Sequence, residues 1–184
     1  MKQHTTALTS TDKSTDKSTD KSTDKSADKS TDASAEPPAE TLADTPADTP
    51  AVFQHPVRVY WEDTDAGGVV FYANYLKFFE RARTEWLRTL GVGQQALRDD
   101  TGAIFIVTDT RVRYRAPARL DDELHITVFL RQRGSASMTI DQQAWRGVVG
   151  AGTLLAEGEI RIGCVDHGTF RPRRIPNSVI CTLT

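Results

Sequence analysis

Residues 72–90, YANYLKFFERARTEWLRTL, constrain the fold more than any other stretch of this 184-residue chain. Apolar groups fall at Tyr72, Tyr75, Leu76, Phe79, Ala82, Trp86, Leu87 and Leu90, a spacing of threes and fours that gathers them on one side of an α-helix. Gly91 follows as a C-terminal cap, and Phe78 adds a second apolar direction, so the helix is expected to touch more than one surface. So wide a stripe must be buried against something.

The partner is expected to be a sheet, because the rest of the chain alternates. Val57, Val59 and Trp61 interleave with Arg58, Tyr60 and Glu62, which predicts a short strand before the helix. After a polar connection through Asp99 and Gly102, four strands follow. Ile106, Thr108, Thr110, Val112 and Tyr114 share a face of the first, which ends near Pro117; Leu124, Ile126, Val128 and Leu130 share a face of the next. Ala136, Met138, Ile140, Gln142 and Ala144 mark a third, and Ala156, Gly158, Ile160, Ile162 and Cys164 a fourth, with turns at Arg133–Ser135 and Gly147–Gly152. Consecutive strands joined by short turns pair antiparallel, so the class is α+β with one long helix laid across a five-stranded sheet.

This pattern starts near Phe53. In front of it, residues 10–32 repeat a unit of the form STDK, and 33–51 continue in Ala, Pro, Thr, Asp and Glu. Such a segment has no apolar anchors to offset chain entropy, so 1–52 is expected to be a disordered tail and 53–184 the folded domain. The first 50 residues hold six Lys against ten acidic groups, leaving a near-neutral remainder in which Lys77 is the single lysine among arginines. That balance lacks the basic stripe of a nucleic-acid binder. No run reaches the roughly 18 apolar residues of a membrane span, and no apolar signal segment opens the chain. Cys164 and Cys181 lie in no metal-like spacing and read as reduced thiols of a cytoplasmic protein.

Chemistry is concentrated between the first strand and the helix. Glu62, Asp63 and Asp65 stand beside Gly67 and Gly68, just ahead of the free amides that begin the helix near Tyr72. A carboxylate opposite such amides could attack a polarised carbonyl or activate water for it. Asp63, Thr64 and Asp65 would equally serve as turn caps, and the acidic spacing matches no calcium loop.

The stretch VRVYWEDTDAGGVVFYANYLKFFERARTEWLR resembles the signature of hotdog-fold thioesterases of the 4-hydroxybenzoyl-CoA thioesterase type. More narrowly, it is similar to the bacterial acyl-CoA thioesterases associated with the Tol-Pal system. The resemblance runs from about His55 to Asn177 and includes AEGEIRIGCVD and the RPRRIP close. It implies a sheet wrapped around a central helix, hydrolysis of acyl-CoA without cofactor or metal, and a homo-oligomer, dimer or tetramer. It implies Asp65 as the catalytic carboxylate and the backbone amide of Tyr72 as the group polarising the thioester carbonyl. The Tol-Pal-associated members usually carry histidine where this chain has Tyr72, so any imidazole role there is lost while the amide remains.

Substrate contacts are expected from Gly67, Gly68, Val69 and Val70, with Arg171 and Arg173 as candidates for the coenzyme A phosphates and Arg174 beside them. Glu80 is a rival base, because some hotdog thioesterases carry their carboxylate on the helix; the competing expectation is an ion pair with Arg81 or Arg83 in the dimer contact. A hotdog dehydratase would need histidine beside the acid, and none lies between His55 and His125. A non-catalytic module that binds acyl-CoA or an acyl carrier protein stays open as an alternative.

Overall fold

A computed structural model describes residues 52–183, so the expectation of disorder in the tail falls outside the described residues, Val52 excepted. Strand β1 (Phe53–Arg58) leads through a 3-10 turn at Trp61–Asp63 to helix α1 (Asn74–Thr89) and the shorter α2 (Gln94–Thr101). Strands β2 (Ala103–Tyr114), β3 (Glu123–Arg133), β4 (Ser137–Arg146) and β5 (Thr153–Asp166) follow, and a final turn of helix, α3 (Asn177–Ile180), closes the domain. The strands form one antiparallel sheet in the order β1-β3-β4-β5-β2, with β1 and β2 at the edges. This is the hotdog architecture that the resemblance implied. No helix of the described residues is long and apolar enough to cross a membrane.

The core is where periodicity puts it. Tyr75, Phe78, Phe79, Ala82 and Leu87 of α1 are buried against Leu124, Ile126 and Val128 of β3, Met138, Ile140 and Ala144 of β4, and Ala156, Ile160 and Ile162 of β5. The helix rests so close to β5 that a Cβ on Gly158 would come within 2.9 Å of the Phe79 ring. Gln142 is the polar member of this layer. Its Nε2 donates to the Phe79 carbonyl at 3.0 Å and its Oε1 accepts Arg83 Nη1 at 2.6 Å, so its burial leaves no amide group orphaned. Cys164 lies in the same layer, 1% exposed, with its thiol donating to the Arg174 carbonyl.

Four expectations change. The first strand stops at Arg58, and Trp61 is 80% exposed, because the carboxylate of Asp63 takes the amide of Tyr60 and folds the chain out of the sheet. Phe78 is fully buried, whereas Leu76 is exposed and Trp86 is partly buried at the edge of the cluster. The connection at Gln94–Thr101 is a helix anchored by Leu97 and capped by Gly102 in the left-handed region at φ 70°. Finally, Glu80 accepts the Thr84 hydroxyl at 2.8 Å while Arg83 turns inward to Gln142, so no Glu80–Arg83 ion pair forms within the chain.

Candidate active site

Asp63 and Asp65 stand two residues apart in opposite surroundings. Asp63 is 2% exposed, with Oδ2 accepting the Tyr60 amide at 2.9 Å. Its carbonyl takes two donors from the start of the helix, the Phe71 amide at 2.9 Å and Asn74 Nδ2 at 3.0 Å. One carbonyl thus ties the acidic turn to the first turn of α1.

Asp65 lies at the open end of a tight hairpin. Its amide donates to the Val69 carbonyl at 3.0 Å, and its carbonyl accepts the Gly68 amide at 2.9 Å. Gly68 sits at φ 72°, the left-handed glycine that completes such a loop. Asp65 Oδ1 accepts the Gly67 amide at 2.8 Å, leaving Oδ2 without a protein partner among the described residues. The carboxylate is therefore a turn cap through Oδ1 and an exposed acceptor through Oδ2. Gly67 suits this approach, since a Cβ there would stand 3.0 Å from Oδ1. Val69 is half-buried in the return limb and Val70 is buried behind the hairpin, its amide donating to the Ala118 carbonyl at 2.9 Å.

Helix α1 begins where this limb ends. The Asn74 amide closes on the Phe71 carbonyl at 2.8 Å, but the amides of Tyr72 and Ala73 donate to no group among the described residues. Uncommitted amides at the start of a 16-residue helix carry partial positive charge and suit a developing oxyanion. Around them stand Phe71, Tyr72 and Tyr114, all exposed, with the rings of Phe71 and Tyr72 at 4.5 Å. Beneath them, the Tyr75 hydroxyl accepts the Ala118 amide at 3.2 Å, and burial raises the Tyr75 pKa. The Ala118 backbone thus holds the hairpin by its carbonyl oxygen and α1 by its amide.

Other candidate residues lie apart. Glu80 is exposed on α1, two turns beyond the helix start, at the rim of a small cavity lined in part by Arg83, Trp86, Phe105 and Ile140. Arg173 Nη1 donates to the Thr101 carbonyl at 2.7 Å and approaches Asp166 at 3.6 Å, while Arg171 belongs to the same C-terminal segment. Asp166 pairs with Ala103 at the start of β2, whereas Tyr114, beside Tyr72, ends that strand. Eleven residues at about 3.3 Å each separate those ends along the strand. Within one chain, the structure therefore brings Asp65, Gly67, Gly68, Val69, Val70 and Tyr72 together and leaves Arg171 and Arg173 at the opposite end of the sheet. Sequence reasoning missed the contacts of Ala118 and Tyr114 with this segment, which announce themselves only through the fold.

The Thioesterase-like superfamily profile matches residues 59–181, spanning the acidic hairpin, α1 and every strand after β1. The chain belongs to this superfamily. Within it, the chain is 46% identical over 129 residues to the acyl-CoA thioester hydrolase YbgC of Escherichia coli O157:H7, covering 70% of this chain and 93% of that protein. The acyl-CoA thioesterase YbgC of Haemophilus influenzae is 41% identical over 127 residues, covering 69% and 90%. The crystal structure of a probable thioesterase from Bartonella henselae superposes with a TM-score of 0.59 at 30% identity, covering 68% and 98%.

Proposed function

We propose that this chain hydrolyses acyl-CoA thioesters to a free acid and coenzyme A, with Asp65 as the working carboxylate and the Tyr72 amide polarising the thioester carbonyl. The observation that carries the reading is an exposed carboxylate in the hairpin that leads directly into uncommitted helix-start amides, in a chain 46% identical to an acyl-CoA thioester hydrolase. Hydrogen bonds from the amides to the carbonyl oxygen lower the barrier as negative charge gathers there. Asp65 then acts in one of two ways. As nucleophile it expels the coenzyme A thiolate and forms a mixed anhydride, which water opens to the acid; as general base it takes a proton from the water that attacks directly. The burial of Asp63 and its bond to Tyr60 support a structural role for that residue.

The same reading makes the protein a cytoplasmic homo-oligomer that accepts coenzyme A thioesters, with acyl carrier protein as a second carrier. Support for self-association comes from β2, a twelve-residue strand left at the edge of the sheet. Sedimentation at micromolar concentration tests it, and a monomer throughout would count against it.

Asp65→Asn is the deciding variant, because the amide keeps the shape of the carboxylate and loses its basicity. Thiol release should fall by at least about 10²-fold, with acyl-CoA affinity by calorimetry unchanged. Asp63→Asn, which retains an acceptor for Tyr60, should lose far less. If Asp65→Asn kept more than about a tenth of the parent rate, the base would have to be sought at Glu80. Binding without turnover in the parent would instead identify an acyl-CoA binding module.

A further inference from the structure

The Tyr72 carbonyl poses a question that the proposed reaction leaves open. It lies in the turn before α1, and among the described residues no backbone amide takes it. Its partner comes from the far side of the molecule's sequence: the hydroxyl of Tyr114, at the end of β2, donates to it at 2.9 Å. The Tyr114 ring packs edge-on against Tyr72, with centroids 6.3 Å apart, and against Tyr75 at 5.5 Å. Its backbone is fixed by pairing with Ala156 of β5. Tyr114 is thus a rigid strut from the sheet to the start of the helix.

The chemistry of a peptide makes this contact more than packing. The carbonyl of Tyr72 and the amide of Ala73 belong to one planar trans unit and point in opposite directions. Fixing the oxygen therefore fixes where the Ala73 amide points, and it restrains the neighbouring Tyr72 amide through their shared Cα. A hydrogen bond received at the oxygen also polarises the unit and strengthens its N–H as a donor. Burial raises the Tyr114 pKa, with the neighbouring Tyr72 phenol adding to the shift, so the hydroxyl keeps its proton and remains a donor at neutral pH.

We propose that Tyr114 is a positioning residue for thioester hydrolysis, holding the Tyr72 carbonyl so that the Tyr72 and Ala73 amides are set for the carbonyl oxygen of the substrate. The inference rests on the reading that these amides polarise the thioester. Tyr114 touches no reacting atom in it and acts through the peptide it anchors.

Tyr114→Phe removes one hydroxyl and keeps the ring. With a net hydrogen-bond contribution of about 0.5–1.5 kcal/mol lost from the transition state, kcat should fall about 2- to 13-fold, with KM within about twofold of the parent. Tyr114→Leu, which loses the ring as well, should lower both the melting temperature and kcat; relative to it, Tyr114→Phe should restore the melting temperature and leave kcat low. In an Asp65→Asn background, isotope-edited infrared spectra of bound acetyl-CoA should show the thioester C=O stretch rising towards its value in water when Tyr114→Phe is added. A parent-like kcat in Tyr114→Phe, a loss carried by KM alone, or an unmoved C=O stretch would each overturn the proposal. If Asp65→Asn is inactive while Tyr114→Phe matches the parent, this inference alone fails. If Asp65→Asn stays active and bound acetyl-CoA shows no C=O shift from water, the reading beneath it fails too.

Discussion

Gly158 offers a measurement of how tightly α1 is seated. It lies within β5, paired with Val112 on one side and Gln142 on the other, and an alanine Cβ there would stand 2.9 Å and 3.4 Å from two carbons of the Phe79 ring and 3.2 Å from Ile160 Cδ1. Carbon contacts relax at about 3.5–4.0 Å, so the ring must retreat by about 0.6 Å or more. Phe79 is fully buried, so its retreat presses on the core around it or on α1 itself. Overpacking of this kind costs about 1–3 kcal/mol, and replacing glycine in a strand returns about 0.5–1 kcal/mol. Gly158→Ala should therefore destabilise the domain by about 1.2 kcal/mol at the middle of these ranges and at most about 2.5 kcal/mol. Urea unfolding would show this as a lower midpoint at constant slope. Phe79→Leu should relieve the clash, so the double variant should be more stable than the sum of the single effects by about 0.5–3 kcal/mol. Parent-like stability in Gly158→Ala, or additivity within about 0.5 kcal/mol, would refute the claim that the helix rests on this glycine.

Two further outcomes are expected. Phe78→Ala should cost about 3–5 kcal/mol by urea unfolding, and Trp86→Ala should cost less because its ring is only partly buried; the reverse order would misplace the inner face of α1. Burial raises the Tyr75 pKa, so above about pH 10 the unfolded chain loses that proton before the folded chain does and stability falls as pH rises; Tyr75→Phe should flatten the decline in melting temperature there.

The outline of the fold was legible because both periods were clean. Leu124, Ile126 and Val128, like Met138, Ile140 and Ala144, are buried as their alternation required, and α1 begins and ends within two residues of its expected bounds. Where legibility failed, a single polar group decided the local structure. Trp61 continued the alternation of β1, but the hydrogen bond from the Tyr60 amide to the Asp63 carboxylate folds the chain out of the sheet before it. The helix at Gln94–Thr101 has Leu97 as its buried residue, too little for periodicity to register. At the candidate site, the order of Asp63, Asp65 and the glycines pointed to the hairpin, yet one sequence cannot show that Ala118 clamps it or that Tyr114 reaches Tyr72 across 42 residues. Within one chain Arg171 and Arg173 stand apart from the hairpin for a related reason, since their placement depends on which end of β5 the C-terminal segment folds back upon, and it pairs at Val165.

The placement of Cys164 has a bearing on chemical fidelity. A protein that handles thioesters and liberates a thiol is exposed to transthioesterification, in which one of its own cysteines captures the acyl group and stalls turnover. That exchange requires a thiolate that can meet the substrate. Cys164 is sealed in the layer beneath α1, burial raises its pKa, and its proton is given to the Arg174 carbonyl. The interior sulfur is thereby kept away from any acyl group that the protein handles.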